Sequence, residues 1–256
     1  MASPTYVAHA LVLRKTKLGE ADLICSLLCE DGSQKRVVAK GARKPSSPFA
    51  SRLDLACEVE VLCAEGRNLD IVKEARLVDG RPSLRESLER SSGAACMCEL
   101  LDRITQDGLE EDKLFAMTRV ALDELACVDS ENIPLVVAGH LLKAHAFAGF
   151  RPSLAWCAVC AEHVDLMSAR GMVAMSLSEG GVVCKTCESA ADAISIRRDV
   201  CVCMNRLINS PFSDIRTFAC DARTQVEVLQ FCQMWTRQHV GSRLKSLEFF
   251  LTTGIS

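Results

Sequence analysis

Residues Cys157-Ala-Val-Cys160 and Cys184-Lys-Thr-Cys187 place two C-x-x-C pairs in one stretch, with 23 residues between them. A C-x-x-C turn presents two sulfurs on one knuckle, and two knuckles supply the four thiolates that tetrahedral zinc takes, with Zn–S bonds of about 2.3 Å. The spacing is slightly longer than the common C-x2-C-x15–20-C-x2-C pattern. The segment "GMVAMSLSEGGVVC" between the pairs predicts a hairpin that carries the second knuckle back over the first, with Gly180-Gly181 at the turn. The expected cofactor is one structural zinc on Cys157, Cys160, Cys184 and Cys187; the alternative is four reduced, buried cysteines or a site that has lost its metal. His163 follows Cys160 by three residues, but four thiolates already complete the shell. A closed shell leaves no position for a reacting water, so the zinc is expected to fold the insertion and to carry no catalysis. Neither pair opens a helix after a strand, as a thioredoxin-like redox motif would.

A second feature is electrostatic. Residues 33–53, "SQKRVVAKGARKPSSPFASRL", hold six basic side chains (Lys35, Arg36, Lys40, Arg43, Lys44 and Arg52) and no acidic one, within a chain whose formal net charge is −3. Such a run matches a phosphate backbone and gives salt-sensitive, sequence-independent affinity. The alternative is a solvated loop. Arg14, Lys15 and Lys17, near the end of the first predicted strand, are candidates to extend the same face. Residues 1–80 contain only Tyr6 and Phe49 as aromatics, so base stacking contributes little and phosphate contacts dominate. Phe49 reads as an anchor against the fold, and Trp156 and Trp235 read as core.

Enzymatic motifs are missing. There is no G-x-x-x-x-G-K-[ST] phosphate loop, no G-x-S-x-G and no H-E-x-x-H. His9, His140, His145, His163 and His239 are scattered, and Glu110-Glu111-Asp112 reads as an acidic first helical turn. The expectation is a protein that is not an enzyme. An enzyme with an unfamiliar motif and a zinc-ribbon adaptor, binding nucleic acid or protein only, are the competing classes.

These groups need a frame. Apolar–polar alternation predicts strands at 6–15, 21–29, 34–40, 57–64 and 68–76, with the longest break between the third and fourth. That is the outline of an OB-fold barrel, and an SH3-like barrel fits nearly as well. Past residue 80 the period becomes helical. One helix is predicted from an N-cap at Ser83 with Glu86 three residues on, a second within 109–128, and a third from Pro134 that is apolar almost all round and so buried. Helices are expected again at 196–209 and 222–240. The predicted fold is α+β: an OB-fold over 1–80, then a helical domain over 81–256 interrupted by a four-cysteine zinc finger at 154–190.

Fifteen cysteines in 256 residues would suggest disulfides only in a secreted context. "MASPTYVAHALVLRK" shows no secretory signal, and no apolar run is long enough to cross a membrane. A cytoplasmic, nucleoid-associated protein with no membrane partner is expected. Its other cysteines (25, 29, 57, 63, 96, 98, 127, 201, 203, 220 and 232) then serve as small buried hydrophobes. Charge is uneven: Lys and Arg against Asp and Glu number 12 to 11 over residues 1–80, 7 to 12 over 81–150 and 11 to 10 over 151–256.

The order of these parts resembles the RecO family of bacterial recombination mediators. "LRKTKLGEADLICSLLCEDGSQKRVVAKGARKPSSPFASRLDL" resembles the family's first three strands and following loop. "HLLKAHAFAGFRPSLAWCAVC" is similar to its buried helix leading into the first knuckle, "SEGGVVCKTC" to the second knuckle, and "GSRLKSLEFF" to its carboxyl-terminal ending. The resemblance implies DNA repair and recombination by binding single- and double-stranded DNA and annealing complementary strands. It implies work with RecR to load RecA onto strands coated by single-stranded DNA-binding protein. RecR and single-stranded DNA-binding protein are the implied partners, with RecA reached indirectly.

Overall fold

The structure is a computed structural model that describes residues 3–168 and 171–253. Five strands, β1 (Thr5–Leu18), β2 (Asp22–Cys29), β3 (Gln34–Ala39), β4 (Glu58–Ala64) and β5 (Asp70–Asp79), close a barrel in the order β1-β2-β3-β5-β4. All pairings are antiparallel except β3 with β5. This closed, OB-like barrel matches the expected fold class. It forms because alternate residues are apolar and small: Ala10 and Val12, Cys25, Leu27 and Cys29, Val37 and Ala39, Val59, Val61 and Cys63 all point into one core. Burial pushes the thiols of Cys25, Cys29 and Cys63 up to about 11, so they pack as apolar groups. Phe49 packs against the same core, as expected.

The barrel does not stand alone. The chain divides into two compact units, residues 1–127 and 128–256. Within the first, α1 (Leu88–Ile104) and α2 (Asp112–Cys127) belong with the barrel. Leu11, Leu13 and Leu28 are buried although their neighbours in sequence fill the barrel. Gln34 Nε2 donates to the Asp102 carbonyl of α1 at 3.1 Å. A buried ion pair ties the end of β5 to β4 and α2: Arg81 Nη2 donates to Glu58 at 2.9 Å, and its Nε to Asp123 at 2.8 Å. His9 Nε2 lies 2.8 Å from the other Glu58 oxygen.

Two expectations in this unit are corrected. The N-cap of α1 is Ser87, whose hydroxyl accepts from Arg90 N at 3.1 Å. Ser83 instead lies in a short 3-10 turn, Pro82–Arg85, where Pro82 presets the backbone. Of Glu110-Glu111-Asp112, only Asp112 falls within the helix.

The second unit contains α3 (Ile133–Phe147), α4 (Arg198–Asn209), α5 (Ala222–Val240) and α6 (Lys245–Thr253). As expected, α3 is buried along most of its length, and it packs against α4 and α5. Lys143 reaches from α3 to the carbonyls of Ile208 and Ser210, both at 2.8 Å, closing the end of α4. Trp235 is buried in this core. A small sheet in the order β7-β6-β8 is formed by β6 (Met172–Ser176), β7 (Gly181–Val182) and β8 (Ala193–Arg197). The helix expected from 196 therefore starts at Arg198, because Ile196 and Arg197 pair with Val173 and Met172 of β6. No described helix is long and apolar enough to cross a membrane.

Candidate functional site

The cysteine insertion is built from backbone hydrogen bonds that leave its sulfurs convergent. Cys157 N donates to the Glu162 carbonyl at 2.7 Å, and Ala161 N donates to the Cys157 carbonyl at 2.9 Å, closing the first knuckle. The second closes similarly: Cys187 N and Glu188 N each donate to the Cys184 carbonyl at 3.0 Å. The two are joined through β7, where Ala158 N donates to the Val182 carbonyl at 2.8 Å. The predicted hairpin is present, with Met175 opposite Val182 and Ser176 opposite Gly181. Gly180 turns it with a φ of 89°, and Gly181 lies so close to Ser153 that a Cβ there would meet the Ser153 carbonyl oxygen at 2.4 Å. Any side chain at 181 would push β7, and the second knuckle with it, off the first.

The Sγ atoms of Cys157, Cys160, Cys184 and Cys187 all lie within 4.8 Å of one another. Cys160 and Cys184 sulfurs are 3.7 Å apart, against about 3.8 Å for the edge of a tetrahedron with Zn–S bonds of ~2.3 Å. Burial would raise the Cys157 thiol. Backbone N–H groups of Cys160, Cys184 and Val159 outweigh that and bring it down to about 6, and Cys184 N donates to its sulfur at 3.3 Å. Hydrogen bonds with Cys160 and Cys184 push Cys187 up to about 12. Four thiols this close cannot all ionise unaided, and a dication makes the fully deprotonated set favourable. The donor set thus fits a soft or borderline dication. His163 is outside it and packs edge-on against the Trp156 ring, centroids 5.1 Å apart.

Trp156 is not core: it is 56% exposed, beside exposed Val159. A small hairpin has no interior to hold an indole, and the adjoining Cys157 could have signalled this. Cys127 is also exposed and Cys220 half-buried, unlike the other thiols expected in the core.

The basic candidates divide into several places. β1 and β2 turn at Gly19–Ala21, and the segment after β3 folds onto that turn. Gly41 N donates to Asp22 Oδ1 at 2.7 Å, Arg43 N to the Ala21 carbonyl at 2.8 Å, and Arg43 Nη1 to the carbonyls of Gly19 and Glu20 at 3.0 and 2.9 Å. Lys17, opposite Leu23, which in turn faces Ala39, lies at the same end. Lys17, Lys40, Arg43 and Lys44 are thereby gathered, all exposed. Asp22, which anchors the loop, is a functional residue the sequence reading missed; a carboxylate directly after the Gly19-Glu20-Ala21 turn is the available signal.

The remaining candidates point elsewhere. Lys35 sits at the opposite end of β3, 3.5 Å from Asp107 and over the Tyr6 ring. Arg52 donates to the Ala75 carbonyl on β5 at 3.0 Å. Arg36 is exposed and faces Ser26, which also faces Arg14, so these two share a row across three strands. Arg14 pairs with Asp102 at 3.2 Å, and Lys15 pairs with Asp54. Among the described residues no ion pair engages Lys17, Arg36, Lys40 or Lys44.

Two family models cover most of the chain: Recombination protein O N terminal matches residues 1–81, and Recombination protein O C terminal matches residues 85–248. Similar curated relatives include the DNA repair protein RecO of Desulforudis audaxviator (strain MP104C), 30% identical over 252 residues and 98% of both chains. That of Desulfitobacterium hafniense (strain DSM 10664 / DCB-2) is 29% identical over 245 residues, 94% of this chain and 87% of the relative. A third, from Nocardioides sp. (strain ATCC BAA-499 / JS614), is 36% identical over 192 residues, 73% of this chain and 76% of the relative. With the two models matched in succession along a closed five-stranded barrel and a helical unit that carries the convergent cysteines, the chain belongs to the RecO family of DNA repair and recombination proteins.

Proposed function

We propose that this chain binds single- and double-stranded DNA through phosphate contacts, anneals complementary strands, and helps RecR load RecA onto strands coated by single-stranded DNA-binding protein. The observation that carries the DNA-binding part is the cluster Lys17, Lys40, Arg43 and Lys44 on the β1–β2 turn, where Arg43 fixes the loop and three lysines stay unpaired among the described residues. Lysines on a rigid support neutralise phosphates without first losing a protein carboxylate. Arg197, Arg198 and Arg243 are weaker candidates, since each already faces a carboxylate at 3.3, 2.9 and 3.5 Å respectively. The four cysteines hold one zinc that orders the insertion and takes no part in bond making. No cleavage of nucleotide or DNA is assigned to the chain.

Fluorescence anisotropy with labelled single-stranded and duplex oligonucleotides tests this reading. Affinity should be independent of ATP, change little with base sequence and weaken steeply with salt. Affinity confined to one sequence, or insensitive to salt, would overturn it. Exposed Trp156, Val159 and Met167 in the insertion favour a second reading, an adaptor that contacts protein through the zinc hairpin and lacks annealing activity. Pull-downs with purified RecR and single-stranded DNA-binding protein, beside an annealing assay, separate the two.

A further inference from the structure

Outside the four-cysteine cluster, the second unit brings another pair of sulfurs together. Cys203 lies on α4, and Cys220 immediately precedes Asp221, the N-cap of α5. Their sulfurs are 3.6 Å apart although the residues are 17 positions apart in sequence. They line a groove of about 220 Å³ with Val202, Arg206, Phe218 and Thr224. The groove gives Cys220 a half-exposed face, whereas Cys203 behind it is only 8% exposed.

We propose that Cys203 and Cys220 form a peroxide-reactive dithiol, in which Cys220 is the attacking thiolate and Cys203 the resolving thiol, closing to an intramolecular disulfide. The backbone around Cys220 is already fixed from the α5 side. Asp221 accepts from Thr224 N and Oγ1, both at 2.8 Å, and Gln225 Nε2 donates to the Cys220 carbonyl at 3.1 Å. Closing the pair from 3.6 Å to a disulfide of about 2.05 Å takes roughly 1.6 Å of sulfur travel. The electrostatics follow the same division of roles. The hydrogen bond from Cys203 holds the Cys220 thiol below the ordinary cysteine value against burial and the Asp221 and Asp199 carboxylates, with the Arg197 guanidinium helping, while that bond and burial push Cys203 up. Cys201, two residues away, is wholly buried, and its thiol is pushed up to about 12. Such a group is inert to oxidants that reach Cys220.

The chemistry balances with one hydroperoxide as oxidant. The Cys220 thiolate attacks the peroxide oxygen; an S–O bond forms, the O–O bond breaks, and the alcohol or water leaves, giving the Cys220 sulfenic acid. The Cys203 sulfur then attacks the Cys220 sulfur. The S–S bond forms, the S–O bond breaks, and hydroxide departs as water with the Cys203 proton. Two thiols are oxidised, one peroxide is reduced, and a thiol reductant reverses the change. The product staples α4 to the start of α5 across the 3-10 segment Phe212–Thr217.

The test uses the full-length zinc-loaded chain and hydrogen peroxide, followed by alkylation, digestion and mass spectrometry. A Cys203–Cys220 linked peptide should appear with peroxide and vanish with dithiothreitol. Cys220→Ser should abolish the cross-link and leave Cys203 alkylated, whereas Cys203→Ser should strand Cys220 as a sulfenic acid that reacts with dimedone. The proposal is overturned if both thiols stay fully alkylated at peroxide levels that oxidise exposed Cys127, or if Cys220 cross-links to a different cysteine. Because the wild-type peptide map alone supports or overturns it, a variant that fails to fold does not remove the test.

Discussion

Lys40 and Lys44 offer the sharpest test of the basic cluster, because removing them leaves its scaffold intact. Both are exposed, and the loop that carries them is held by Arg43, Asp22 and backbone hydrogen bonds. Arg43 is a poor first target, since Arg43→Ala would also free the Gly19 and Glu20 carbonyls and loosen the loop. Each phosphate contact adds about 0.7 to the log–log salt slope on single strands and about 0.9 on duplex. The double variant Lys40→Ala/Lys44→Ala should therefore flatten the slope by about 1.4 and 1.8. A fourfold rise in salt should then cost the wild type roughly sevenfold more single-strand affinity than it costs the variant. Lys35→Ala is the control, because it removes one lysine charge of the same run about 17 Å from Lys40, where Lys35 already faces Asp107. Its slope should stay within about 0.3 of wild type. Anisotropy titrations at several salt concentrations read all three proteins. If Lys35→Ala flattens the slope as much as the double variant, or the double variant leaves it unchanged, the cluster at the β1–β2 turn is not the phosphate-binding site.

Other outcomes follow from the same structure. Cys184→Ser should lower zinc from about one equivalent to well under half and unfold the insertion, while Cys57→Ser should leave metal content unchanged; metal analysis showing equal loss in both would contradict the assignment. Arg81→Ala should destabilise the first unit by about 3 kcal/mol, because it takes the buried guanidinium from the buried Glu58 carboxylate and leaves it with His9 at 2.8 Å and Arg119 at 3.8 Å, and equilibrium denaturation reads the shift. Burial holds His140 at about 3 and His145 at about 4, both below the ordinary 6.5. The folded state therefore refuses protons that the unfolded state takes below pH ~6.5, and each histidine should cost about 1.4 kcal/mol per pH unit as pH falls from there toward 4. Emission of buried Trp235 in a Trp156→Phe background follows this loss, and His140→Leu should remove about half of the slope.

Which parts of this architecture the sequence reveals depends on how local the deciding physics is. Barrel strands are legible because each carries its own alternation, and the second knuckle because Gly180-Gly181 turns the hairpin within a few residues. Ser83 and Ser87 both look like caps; the choice falls to Ser87 because Pro82 commits the preceding turn to 3-10 geometry. The last two residues of β8, Ile196 and Arg197, read as the start of a helix until their partner β6 is known, since so short a run satisfies either period. α6 is only nine residues long and depends on burying Leu247 and Phe250, with α5 packed beside it. The charge run is plain in the sequence, but its division is not: whether Lys35 is neutralised depends on Asp107, 72 positions later.

Strand annealing is the most direct measure of the central claim. Two complementary labelled oligonucleotides are mixed with the purified chain, without magnesium or ATP, and duplex formation is followed against the spontaneous rate. The account predicts acceleration by wild type, a markedly smaller effect from Lys40→Ala/Lys44→Ala, and no change on adding ATP. Annealing no faster than the spontaneous rate, or acceleration that appears only with ATP, would contradict it.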